Sequence, residues 1–253
     1  MTEPSTSLDR ILLATIAIAL IGIAQFLFCV SQAMEYYPGG NIVSASDGGY
    51  DWQRNWLSDL GRTQSWSKQP NGTSALYFNR SIIVLGASLF VFFLSLGRSA
   101  EDWDMSTLAM QIGGGISCAG LVILGFTPFD THHIEHLAGL SLWILPIPAL
   151  AILFANQCFK TAGFMGWIGG IIAFSIALIL VLAIIAYGMA GHATGYVVMQ
   201  KIVVGISIAW FGMVCLRVLF AAIETMGWTR RQVIAKQADW YESRLRKGHR
   251  KRS

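Results

Sequence analysis

The stretch T-P-F-D-T-H-H-I-E-H-L-A-G-L-S-L-W, Thr127–Trp143, decides the reading of this chain. Its first ten residues include one aspartate, one glutamate and three histidines, whereas the remainder is almost entirely apolar. Ionisable side chains at the mouth of a hydrophobic helix are costly to place. This cluster therefore predicts either local hydrogen-bond partners or a functional site.

The composition around this stretch is typical of a membrane protein. Of the 253 residues, 54% are hydrophobic and only 13% are charged, with a mean hydropathy of +0.54. A soluble domain carries about 25% charged residues. Several apolar runs exceed the roughly 18 residues needed to cross a bilayer. The chain is predicted to be an all-α polytopic membrane protein with no soluble catalytic domain.

The apolar runs predict a six-helix bundle, which we assign to residues 1–227. Glu35–Tyr77 lies between the first two runs and is rich in Gly, Trp and Tyr, which indicates an ordered cap on one membrane face. Pro146 and Pro148 interrupt the fourth run. The predicted spans are about 11–34, 78–96, 105–126, 134–154, 163–188 and 199–223.

The remaining segment, 228–253, contains nine of the 18 Lys and Arg residues. Apolar residues recur there at helical spacing between the basic ones, as in Ile234, Ala238 and Tyr241. We predict a basic amphipathic helix that binds anionic lipid headgroups. A solvated charged tail is the alternative. We expect membrane lipids, and no nucleic acid, as partners.

The charge distribution also predicts orientation. Basic segments stay in the cytoplasm, and six spans then place both termini there. The long loop and the polar stretch after the third span emerge on the opposite face. The ionisable residues that share this face are expected to include the following: Asp59, Asp130, His132, His133, Glu135, His136 and His192.

One interpretation of this cluster is a metal centre. His132 and His136 are four residues apart, so a helix places both imidazoles on one side, and Asp130, His192 or Asp59 would complete a zinc site. The H-x-x-E-H pattern then makes Glu135 the general base. The chain would be a metal-dependent hydrolase that cleaves a lipid, amide or ester at the outer membrane face.

Two other interpretations compete with the metal centre. In the structural one, Asp130 caps the fourth helix, and His136 bonds a neighbouring helix that Gly139 allows to approach closely. In the other, the Asp/His face binds a lipid or small molecule. A transporter is less favoured, because the two halves show no internal repeat.

A second polar stretch lies in the long loop. Asn55-Trp56-Leu57-Ser58-Asp59-Leu60-Gly61 has the composition of a capped turn, with Ser58 or Asp59 as the cap and Gly61 at positive φ. Asp59 is expected to pair with Arg80 in the second span.

Four short motifs carry a resemblance: Ser58-Asp59-Leu60-Gly61, Phe78-Asn79, Pro128-x-Asp130 and His136-Leu137-Ala138-Gly139. Together they resemble an uncharacterised prokaryotic six-helix membrane family that is similar to the DRAM and Sfk-type membrane proteins. The resemblance implies a multi-pass protein of a prokaryotic inner membrane with a lipid-binding or membrane-organising role, and it implies no established catalytic residue. The expected binding residues are Ser58, Asp59, Asn79, Arg80, Asp130 and His136.

The orientation can be tested with single cysteines introduced at Ser65 and Ser243. We expect a membrane-impermeant thiol reagent to label the first from outside intact cells and the second only after permeabilisation, because the basic tail stays in the cytoplasm. Labelling of position 243 from outside would overturn the orientation.

Overall fold

The computed structural model describes residues 6–96, 105–160, 164–190 and 195–249. These ranges contain α-helices, one short 3-10 helix at Leu57–Gly61, and no β-strand beyond two isolated bridges. The helices are α1 Thr6–Glu35, α2 Gly72–Ser95, α3 Met105–Phe126, α4 His133–Ile144, α5 Pro146–Lys160, α6 Phe164–Ala190 and α7 Gly195–His249.

Six helical segments of the described ranges are long and apolar enough to cross a membrane, with α4 and α5 together forming one of them. The predicted all-α, multi-pass class is confirmed. The segments are Arg10–Glu35, Gly72–Ser95, Met105–Phe126, His133–Lys160, Gly166–Ala186 and Tyr196–Ile223.

The second helix begins at Gly72, six residues before the start predicted from hydropathy. Its first two turns contain Asn79 and the buried Ser74, both of which lower the local hydropathy. Their side chains bond backbone carbonyls of the preceding loop. Because these partners come from a distant loop, the apolar pattern alone does not reveal that the helix starts here.

The fourth span is divided where Pro146 follows Leu145. Proline has no N–H, so it cannot continue the hydrogen-bond ladder, but it is well accommodated as the first residue of a new helix. The Leu145 N–H still bonds the Ser141 carbonyl at 3.0 Å, which keeps α4 and α5 consecutive.

Small residues bring α3 and α4 into backbone contact. A Cβ built on Gly120 would lie 2.4 Å from the Trp143 backbone nitrogen and 2.6 Å from the Gly139 carbonyl oxygen. Beside this crossing, the Ser117 hydroxyl donates to the Trp143 carbonyl at 2.7 Å. The close approach expected at Gly139 is therefore present, and it fixes α4 against α3.

Polar side chains join α1 to α2 inside the bundle. The Gln25 amide donates to the Ser81 carbonyl at 2.9 Å, and the hydroxyls of Thr15 and Ser95 lie 2.8 Å apart. Such bonds satisfy polar groups that would otherwise be buried without partners.

Helix α7 packs through large aromatic side chains. Trp210 and Phe211 are almost completely buried, and the Phe211 ring meets the Phe93 ring of α2 at 5.9 Å. By packing, the chain divides into Met1–Cys215 and Leu216–Ser253. The side chains of 224–253 lie outside the described part, so the lipid-binding tail stays a prediction.

We call residues 36–71 the cap. Ser65 within it is only 1% exposed and its hydroxyl lies 2.8 Å from that of Ser67, so a cysteine there would be shielded from reagents. The exposed Ser46 is the better reporter of the same loop.

The α3–α4 crossing gives a stability prediction. Gly120→Ala should lower the free energy of unfolding by about 1–3 kcal/mol, because the new methyl group meets rigid backbone. The matched control is Gly205→Ala on α7, where an added Cβ meets nothing within 4 Å. Thermal unfolding in detergent micelles compares the two, and equal stability of both variants would contradict the crossing.

Candidate functional site

The cap is held to α2 by side chains that bond its carbonyl groups. The Asn71 amide nitrogen reaches the carbonyls of Asp59, Leu60 and Arg62 at 3.3, 3.0 and 2.9 Å. Leu60 also accepts a 3.1 Å bond from the Ser74 hydroxyl. A 3-10 helix leaves its last carbonyls unpaired, so these donors complete its C-terminal end.

Gly61 ends this helix without the positive φ expected for it, since the positive-φ glycines of the described ranges are Gly39, Gly40 and Gly49. Glycine is required at this position because a larger residue would not fit. A Cβ at Gly61 would lie 2.3 Å from the Asn79 Oδ1. The Asn79 amide nitrogen donates to the Gly61 carbonyl at 2.9 Å, so two of the four motifs singled out in the sequence contact each other directly.

Asp59 lies inside this arrangement and is 2% exposed. Its Oδ2 accepts from the Trp56 backbone N–H at 2.9 Å and from the Asn55 amide at 3.1 Å. The predicted capping role of Asp59 is therefore present. The expected pair with Arg80 does not form. Arg80 is exposed on α2, whereas the Asp59 carboxylate is buried.

The surroundings of Asp59 raise its pKa above the usual range. Burial is the main cause, and it outweighs hydrogen bonds from the Asn55 and Trp66 side chains and the Trp56 backbone, as well as the charge of Arg62. Ionisation of this buried carboxyl group therefore lowers the stability of the folded chain.

Asn55 connects Asp59 to α7. It is fully buried, and its amide nitrogen also donates to the Gly40 carbonyl at 2.8 Å. Its own carbonyl accepts a short 2.5 Å bond from the Lys201 ammonium group. Lys201 is itself buried, 5.5 Å from the ring centre of Tyr50 and 5.2 Å from that of Trp52, at cation–π distance.

Gln200 makes a second link between α7 and the cap. Its side-chain oxygen accepts the Leu57 backbone N–H at 2.7 Å. This bond satisfies a donor at the first turn of the 3-10 helix and leaves the Gln200 amide nitrogen free to donate elsewhere.

Asp130 joins the α3–α4 turn to the cap rather than capping α4. Its carboxylate accepts the Thr63 hydroxyl at 2.7 Å, the Thr63 backbone N–H at 3.0 Å and the Gln64 N–H at 3.1 Å. Partial burial raises its pKa, but these hydrogen bonds outweigh that effect and lower the pKa below its usual value. The long loop and the polar stretch thus meet at one end of the bundle.

His136 is 8% exposed and packs against Phe129, with ring centres 5.5 Å apart. Its Nδ1 lies 2.6 Å from the Thr127 carbonyl oxygen. A carbonyl oxygen only accepts, so Nδ1 carries the proton and Nε2 is the acceptor of the neutral ring. The interpretation of His136 as a hydrogen-bonded, packed residue agrees with this geometry, although its partner is a turn carbonyl.

The other members of the proposed metal set lie apart from one another. His132 is exposed, with Nδ1 2.9 Å from the Thr131 hydroxyl, and Glu135 is exposed on α4. No three His, Cys, Asp or Glu side chains of the described ranges form a group that could hold a metal ion. His192 lies outside the described residues, so the hydrolase interpretation gains no support from this geometry.

A cavity of about 830 Å³ lies beneath the cap, within the range of small-molecule sites. Its walls come from the cap, α4, α6 and α7. Its polar lining consists of Ser58, Asp59, His133, His136, Ser141 and Gln200. The remaining wall is apolar: Ile42, Trp56, Trp66, Phe129, Leu137, Leu140, Ile144, Leu145, Ala183, Ile184, Met199, Val203 and Val204.

The polar lining is concentrated near the 3-10 helix. A second cavity of about 30 Å³, enough for one or two waters, is also lined by Ser58, His136 and Gln200. These three side chains are therefore neighbours. The large cavity combines a hydrophobic body with one end where an imidazole, an amide and a hydroxyl meet, and Asp59 lines it next to Ser58.

Comparison with family models, with characterised proteins and with solved structures found no match to this chain. The six apolar helical segments and the cavity define the class of this chain: a six-span helical membrane protein with an amphiphilic cavity beneath its cap.

Several residues of this site were not identified from sequence. Asn55, Asn71, Gln200 and Lys201 all bond groups that are distant in the chain. One signal was present, because Lys201 is a charged residue inside an apolar run, and such residues usually have a buried partner.

The two aspartates should influence stability with opposite signs. The pKa of Asp59 is raised in the folded chain, so its contribution is favourable at acidic pH and is lost as the pH rises through that pKa. Asp59→Asn should therefore be more stable than the wild type at pH about 7 and equal to it below pH about 4.

Asp130 is the control with the opposite sign. Its lowered pKa stabilises the folded chain above the ordinary aspartate range, and that contribution is lost as the pH falls. Asp130→Asn should be less stable than the wild type at neutral pH and should approach it in acid. Thermal unfolding at both pH values measures this, and a neutral-pH loss for Asp59→Asn would refute the assignment for Asp59.

Proposed function

We propose that this protein is a membrane protein that binds a lipid or another amphiphilic molecule in the cavity beneath the cap. The observation that carries the proposal is the shape of that cavity, about 830 Å³ with an apolar wall and a polar end formed by Asp59, His136 and Gln200. Concave sites with this distribution of polarity are typical of ligand pockets.

The position of the cavity in the bundle favours an amphiphile over a water-soluble ligand. Leu137 and Leu145 line it and are still 39% and 60% exposed, so it is open to its surroundings along α4. Helix surfaces of this kind are covered by hydrocarbon chains in a membrane. A hydrocarbon chain can thus enter alongside α4 while its polar head lies against the 3-10 helix.

The polar end is rigid, which suits recognition better than a flexible loop would. Asp59 is oriented by Trp56 and Asn55, and His136 by Thr127. Groups that are already oriented lose little entropy when a ligand binds. The resemblance to the DRAM and Sfk-type proteins belongs to the same proposal, as do an inner-membrane location, cytoplasmic termini and a tail that binds anionic lipid.

The proposal is tested by filling the cavity. Ala183 of α6 is buried and lines it, so Ala183→Phe places an aromatic ring inside. Native mass spectrometry from mild detergent should show one retained amphiphile per wild-type chain. In the variant, the fraction of chains with a retained amphiphile should be at least about tenfold lower.

The control for this experiment is Ala87→Phe on the exposed face of α2, which enlarges a side chain away from the cavity. It should retain the amphiphile as the wild type does. Thermal unfolding verifies that both variants are folded. Retention that is the same in a folded Ala183→Phe variant would reject binding in this cavity.

A further inference from the structure

We infer that the amphiphile bound beneath the cap carries a positively charged primary amine as its head group, which Asp59 recognises. This inference rests on the proposed function and adds the chemical class of the ligand. It follows from the charge, the hydrogen-bond capacity and the aromatic content of one end of the cavity.

The first argument is charge. With histidines neutral, Asp59 is the single residue with a formal charge among those that line the cavity. The carboxylate is 2% exposed, and both of its hydrogen bonds end on Oδ2. The indole of Trp66, which also lines the cavity, interacts with the same carboxyl group and lowers its pKa. These partners carry no positive charge, and a buried carboxylate without a cationic partner is unfavourable, so a cationic ligand that donates to Asp59 reduces that penalty.

Two cations lie near Asp59, but neither belongs to the cavity wall. The Lys201 ammonium group donates to the Asn55 and Val197 carbonyls and is separated from Asp59 by the Asn55 amide. The Arg62 guanidinium stacks on the Trp66 ring, 4.4 Å from its centre. Neither makes an ion pair with Asp59, so this carboxylate has no cationic partner among the described residues.

The second argument is hydrogen-bond capacity. The neutral His136 ring presents Nε2 as an acceptor because its Nδ1 donates to Thr127. Ser58 adds a hydroxyl oxygen that also accepts. A primary ammonium group has three N–H donors, which matches one carboxylate, one imidazole nitrogen and one hydroxyl. A phosphate or carboxylate head could accept from the Gln200 amide, but it would also face the negative charge of Asp59.

The third argument is the aromatic lining. Trp56 and Trp66 border the cavity beside Asp59, and Phe129 borders it beside His136. Aromatic faces attract cations, and the attraction grows when both partners are removed from water. Asp59 is desolvated and oriented when the chain folds, so these steps do not reduce the affinity for an incoming ammonium group.

The test compares two probes with the same chain and different heads, dodecylamine and dodecanol. The amine is protonated at neutral pH, as a lysine side chain is. Affinity of the purified full-length chain is measured by titration in detergent micelles at neutral pH. The wild type should bind the amine at least about tenfold more tightly than the alcohol, because only the amine forms the charge pair.

The variant Asp59→Asn keeps the size of the side chain and removes its charge. Its preference for the amine should fall to less than about threefold, while its affinity for the alcohol changes little. The matched control is Asp47→Asn, which removes a charge from the cap at a residue paired with Arg54 at 3.3 Å and absent from the cavity wall. The control should keep the wild-type preference, so nonspecific attraction of amines to an acidic surface is excluded.

The outcomes separate this inference from the proposed function. Equal binding of both probes by the wild type, with Ala183→Phe weakening both, would overturn the amine head group and leave the amphiphile cavity intact. No binding of either probe would count against both. An amine preference that persists in a folded Asp59→Asn variant would also overturn the assignment of Asp59 as the recognition residue.

Discussion

The structure depends on satisfying backbone carbonyl groups at the polar end of an apolar bundle. The 36-residue cap, residues 36–71, has little regular secondary structure, so its carbonyls lack the partners that a longer helix would supply. Three parts of the chain provide those partners or bind the matching N–H groups. Asn71 does so at the N-cap of α2, Asn79 within α2, Asp130 in the α3–α4 turn, and Gln200 in α7. These bonds hold the cap in place above the cavity.

The hydrogen bonds also explain how far sequence reasoning reached. Apolar runs predicted six spans because the length needed to cross a bilayer is a local property of sequence. The division of the fourth span followed from Pro146, which cannot continue a helix. Ser58, Asp59 and His136 were expected as binding residues, and all three line one cavity. These conclusions required only the order and spacing of residues along one element.

The partners within the site could not be obtained in that way. The Gln200 side chain bonds a backbone group 143 positions away, and Asp130 bonds one 67 positions away. No periodic pattern encodes such pairs, because a carboxylate suits a helix cap, a metal or a loop N–H equally well. Asp130 was therefore expected as a cap or a ligand, whereas it anchors a loop. Arg80 was expected at the site, but the phase of α2 places it on the exposed side.

The side chain of Asn71 has a consequence for how this chain can be studied. Asn71-Gly72-Thr73 has the form of an acceptor sequence for N-linked glycans. Its amide nitrogen, the atom to which a glycan is attached, already donates to three carbonyls, and the residue is 1% exposed. In the folded chain an oligosaccharyltransferase cannot reach this nitrogen. In a eukaryotic expression host, an unmodified Asn71 would therefore say nothing about which side of the membrane the loop occupies. A glycan attached before folding would keep the 3-10 helix from docking on α2.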